Sequence, residues 1–188
     1  SCSCKTLAVT LENRKMNTWK TLLLFLVSIS LFSSCKNIEK RNNEITKISI
    51  TTGLCYGTCP VQTIEIDSSL TVKYHGMEYA KRKGFYVGKI TLKNWDSINS
   101  RFEKIKYKEL DSVYDNSVDD PPIYLKIYFQ NKIKTIRAQS SSLPEEVRET
   151  CYWIIKATEN LKLSKTNDTL NFENKHLKFM YPPPPPKI

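Results

Sequence analysis

Glycine is scarce, with five in 188 residues, and histidine scarcer, with two. No glycine-rich phosphate loop can be assembled. There is no G-x-S-x-G and no H-E-x-x-H, which removes the commonest serine-hydrolase and zinc-protease signatures. The acidic stretch from Asp111 to Pro122 lacks the D-x-[DN]-x-[DN]-G spacing and the closing glutamate of a calcium loop, and reads as an exposed loop. Paired carboxylates occur as Asp119-Asp120 in that loop and as Glu145-Glu146 in the first turn of a helix. At the second position the positive end of the helix dipole explains them without catalysis. No nucleophile and base stand together in the sequence, so the expected role is non-enzymatic, and no cofactor is implied.

Long hydrophobic runs are also missing. The apolar stretch Leu22 to Phe32 has eleven residues, against the roughly 20 that a membrane-spanning helix needs. Its flanks give it another meaning. Met16 and Lys20 precede it, and Ser33-Ser34-Cys35 follows. A basic start, a short apolar core and small residues before a cut describe a secretory leader. A cysteine directly after two serines is the bacterial lipobox arrangement, which makes Cys35 the expected lipidation site and palmitate an expected modification. Residues 1–15 then form an upstream extension, and Cys2 and Cys4 drop out of the mature protein. Residues 16–34 are the expected signal peptide and residues 35–44 a polar tether. The expected location is the bacterial cell envelope, anchored to the outer membrane through the lipid on Cys35.

The chain is basic, with 29 Lys and Arg against 19 Asp and Glu, a net charge of +10. Such a balance can signal nucleic acid. Here the lysines are scattered through every segment, and export argues against that partner. An envelope protein or a polysaccharide is the expected partner besides the membrane.

The mature length suits one domain with one core. Alternation of apolar and polar residues predicts strands over residues 46–52, 61–67, 70–75, 85–90, 123–129 and 133–138. Leu92, Trp95, Ile98, Phe102 and Ile105 recur at helical spacing, with Thr91 as N-cap, and predict a helix over 92–106. Ser142-Leu143-Pro144-Glu145 has capping-box spacing and opens a second helix, which carries Val147, Cys151, Ile154 and Ile155 on its inner stripe. Cys151 is therefore expected as a buried thiol acting as a small hydrophobe. The fold class is α+β: a mostly antiparallel sheet of about six strands, in the order ββββαββα, with two helices on one face. The domain spans residues 45–163, and residues 164–188 form a polar tail. The tail ends in Pro182 to Pro186, an extended polyproline II run. Lys81-Arg82-Lys83 reads as a solvated basic triplet.

Between the first two strands lies Cys55-Tyr56-Gly57-Thr58-Cys59-Pro60. Gly57 can take a positive φ and Pro60 fixes the backbone after the second thiol, so the segment is a tight turn. Three readings of the pair stand open. One is a disulfide between Cys55 and Cys59, favoured by export. The second is a soft-metal or redox site using Cys55 and Cys59, with His75 as a third ligand. The third is two free thiols.

These residues carry a resemblance. The cysteine motif, the run Val72-Lys73-Tyr74-His75-Gly76, and Gly84-Phe85-Tyr86-Val87-Gly88 resemble a family of uncharacterised bacterial lipoprotein domains of unknown function (DUF). Its hallmark is a C-[YF]-G-x-C-P opening followed by a hairpin. The likeness covers residues 45–160 and implies a domain boundary but no catalytic residue. Gln62 and Ser68-Ser69 depart from its usual aromatic and glycine. Cys55, Cys59 and Pro60 also match a fragment of the Sco-type copper chaperones, where His75 or His176 would complete the site. Those proteins place a helix after the motif, whereas residues 61–67 read as a strand.

Overall fold

The computed structural model describes residues 44–116 and 120–172. In chain order its elements are β1 (Ile45–Thr52), β2 (Gln62–Asp67), β3 (Thr71–Gly76), β4 (Gly84–Lys89), α1 (Leu92–Lys104), β5 (Val113–Tyr114), β6 (Pro122–Phe129), β7 (Lys132–Gln139), α2 (Glu145–Glu159) and β8 (Ser164–Thr166). Among the described residues the strands form one sheet in the order β5-β7-β6-β1-β2-β3-β4-β8. Every pairing is antiparallel except the short parallel contact of β5 with β7. The class is α+β, as expected, with eight strands rather than six.

The two added strands are those that periodicity cannot see. β5 has two residues, and β8 reads Ser-Lys-Thr without an apolar position. Each exists because a sheet edge lies beside it. β8 also extends the folded body past residue 163, the expected boundary.

Register divides the sheet into two faces. Ile48 and Ile50 on β1 lie opposite Ile66 and Ile64 on β2, and opposite Ile127 and Leu125 on β6. These side chains share one core with Trp95, Ile98 and Phe102 of α1 and with Val147, Cys151 and Ile154 of α2. Both helices therefore bury their apolar stripes against the same face. Thr91 caps α1, its Oγ1 accepting from the Asn94 amide at 3.2 Å.

The start of α2 differs from its expected form. Ser142 belongs to a 3-10 turn over Ser140–Ser142, and the helix begins at Glu145 after Pro144, with no side-chain cap. The capping box is not made because the chain leaving β7 tightens into that turn, which carries Ser142 out of capping position. The Val147 and Arg148 amides instead donate to the Pro144 carbonyl, each at 3.0 Å.

Candidate functional site at the cysteine loop and the polar sheet face

Residues 53–61 join β1 to β2, and both ends of this connection are pinned. The Gly53 amide donates to Pro122 O at 3.0 Å, and Val61 and Met77–Glu78 exchange backbone bonds of 2.8 and 2.9 Å. The Thr52 hydroxyl donates to Pro60 O at 2.6 Å. Cys55 and Cys59 are joined by a disulfide, with their Cα atoms 5.7 Å apart. Gly57 is not at positive φ; among the described glycines only Gly84 is. A Cβ on Gly57 would meet its nearest neighbour, Cys55 Sγ, at an ordinary 3.7 Å. The turn is therefore held by the bond and by the Gly57 amide, which donates to Cys55 Sγ at 3.2 Å, rather than by a left-handed glycine. Tyr56 projects from its tip, 56 % exposed.

His75, the expected third ligand of the metal reading, lies in β3 and stacks on Phe85 with ring centroids 4.0 Å apart. Burial lowers its pKa from the ordinary value of 6.5. Among the described residues, no three His, Cys, Asp or Glu side chains are grouped to hold a metal ion. Cys151 is a free thiol, fully buried in the helix-side core, and burial pushes its pKa up to about 12. It acts there as a small apolar group. Cys35, His176 and Pro182–Pro186 lie outside the described residues.

The basic triplet was read as solvated, and its middle member is not. Arg82 Nη2 donates to the Glu159 carbonyl at 2.9 Å and to the Leu161 carbonyl at 2.8 Å. The first is an orphan acceptor in the last turn of α2, where a cation is favoured, and the second lies just past the C-cap Asn160. Lys81 approaches the Glu159 carboxylate at 4.0 Å across solvent. No local pattern could signal this role, because its partners lie nearly 80 residues away.

Opposite the helices is a second face, lined by polar side chains that are buried at its centre. One cross-strand row reads Arg137, Tyr124, Thr51, Thr63, His75, Phe85 from β7 to β4. The next row holds Lys126, Ser49, Glu65 and Lys73. The Thr51 and Thr63 hydroxyls are 3.1 Å apart. At the β6 side the Lys47 ammonium sits 4.1 Å from the Tyr128 ring centroid. This face has a hydroxyl-lined centre with aromatic rings at each side.

The arrangement defines a class: a single mostly antiparallel sheet with two helices on one face and a disulfide-closed connection between its central strands. Within that class the chain belongs to the family described as Domain of unknown function (DUF6438), whose model matches residues 46–158. The match agrees closely with the span of the sequence resemblance, residues 45–160. A search of curated proteins found no match. No helix among the described residues is long and apolar enough to cross a membrane.

Proposed function

We propose that this protein is a lipid-anchored module of the bacterial cell envelope, acting by binding or as a structural element rather than by catalysis. The observation that carries this reading is the leader-like run Leu22 to Phe32 followed by Ser33-Ser34-Cys35. The Cys55–Cys59 bond supports it, because disulfides persist in oxidising compartments and are rare in reducing ones. Cys35 becomes the acylated first residue, the polar tether of residues 36–44 spaces the domain from the bilayer, and the domain presents its disulfide-closed loop to an envelope protein or a polysaccharide.

The test is metabolic labelling with a palmitate analogue, followed by fractionation. The intact protein should incorporate label and sediment with the outer membrane; Cys35→Ala should abolish both. An unlabelled, uncut protein in the cytosol would refute the reading. Metal analysis of the same material separates the alternative role, a thiol-based copper or redox protein using Cys55 and Cys59. One equivalent of sulfur-bound copper would favour that alternative.

A further inference from the structure

We propose that the Cys55–Cys59 disulfide is a thiol-exchangeable bond that sets the shape of the β1–β2 connection, with Cys59 Sγ as the sulfur attacked and Cys55 as the leaving thiolate. Three observations meet at this loop. The bond is within reach of a reagent: Tyr56, Gly57 and Thr58 are exposed, and the two cysteines are half-buried. The two sulfurs are also unlike. Cys55 Sγ accepts from the Gly57 amide at 3.2 Å, and no such donor reaches Cys59 Sγ among the described residues. A hydrogen-bond donor favours the charged form of its acceptor, and the better-stabilised thiolate leaves faster in exchange. Finally, the fold does not hang on the bond. The ends of the connection are fixed by the Gly53–Pro122, Val61–Glu78 and Met77–Val61 backbone bonds and by the Thr52 hydroxyl on Pro60 O. Breaking the disulfide therefore releases residues 55–59 alone.

The co-reactant is a dithiol, acting through its thiolate. One thiolate forms a bond to Cys59 Sγ while the Cys55–Cys59 bond breaks, and the electron pair of that bond stays on Cys55 Sγ. The second thiolate of the dithiol then attacks the reductant's own sulfur in the mixed disulfide, and Cys59 leaves as the second thiolate. Each cysteine takes up a proton. The chain has gained two electrons and two protons, and the dithiol, having lost them, has become a disulfide. In an oxidising compartment the closed ring is the resting form. The ring holds the tip that carries Tyr56 until a dithiol opens it. This adds a switch to the binding role proposed above. It requires neither copper nor acylation of Cys35, so its failure would leave that role standing.

Reduction of the intact oxidised chain in native buffer tests this. In one arm the probe is dithiothreitol, and free thiols are alkylated before unfolding and mapped by mass spectrometry. The expected result is that Cys55 and Cys59 become alkylated while circular dichroism stays unchanged and the buried Cys151 does not react. In the second arm the probe is excess reduced glutathione, a monothiol that cannot complete the second step by itself, and acid stops the reaction early. The expected adduct carries glutathione on Cys59 and a free thiol at Cys55, several-fold over the reverse, as located by peptide fragmentation. A disulfide that resists dithiothreitol until the fold is lost would overturn the proposal. So would glutathione that forms no adduct, or that is found on Cys55 as often as on Cys59.

Discussion

Gly76 ends β3 where the backbone of the following loop passes closest. A Cβ there would fall 1.8 Å from the Arg82 carbonyl oxygen and 2.8 Å from the Tyr74 hydroxyl. The first clash is with backbone, which cannot swing aside. Gly76→Ala must therefore push away the segment that carries Arg82 to the end of α2, and should cost about 2–3 kcal/mol by urea unfolding. Tyr74 shares this crowded corner. Its hydroxyl donates to Gln62 Oε1 at 3.0 Å, so Gln62 gives a buried phenol its partner. His75, next along, faces the other way. Burial lowers its folded pKa below the ordinary 6.5, so the folded state holds it neutral while the unfolded chain takes up a proton first. Its contribution is fully present above about pH 6.5 and is lost as pH falls through the lowered folded value. Thermal unfolding between about pH 7.5 and pH 5 should thus show a smaller acid-side loss for His75→Gln than for the parent chain.

At the scale of elements, the two helices start by different means. α1 has a side-chain cap, and Thr91→Ala should destabilise the domain by about 1 kcal/mol, measured as a shift in the denaturation midpoint at unchanged slope. α2 has no such cap, and Glu145 and Glu146 lie in its first turn against the dipole. Its other end is secured from outside, by Arg82. The helices are tied to each other by the Arg101 guanidinium, 4.2 Å from the Trp153 ring centroid. On the sheet, β5 and β8 are the least self-sufficient strands. Each is held by one neighbour and few residues, and hydrogen exchange should find their amides faster than those of β1 or β2.

For the whole molecule, the disulfide closes so short a ring that the chain-entropy model assigns it about 2 kcal/mol. The paired change Cys55→Ser with Cys59→Ser should lower the melting temperature by roughly 7 °C without unfolding the domain. The broader frame does not depend on that bond, since β1 lies between β2 and β6 and its isoleucines sit in the main core. The connection is better understood as a shaped projection, with Tyr56 at its tip, carried by the rigid centre of the sheet.

Much of this was legible in the residues. Alternation marked the six longer strands because their inward positions meet one core, and the 3–4 spacing of Trp95, Ile98 and Phe102 marked α1 for the same reason. Cys151 fell on an inner stripe and is buried there. These are local consequences of burying one side of a strand or helix, and a linear pattern records them. The bond between Cys55 and Cys59 was one of three open readings, because spacing alone does not say how a turn brings two sulfurs together. The edge strands β5 and β8, the failed capping box at Ser142, the Arg82 clasp on α2 and the alignment of His75, Thr63, Thr51 and Tyr124 across four strands required the tertiary structure. Each depends on a partner distant in sequence, and only the folded chain decides which distant residues become neighbours.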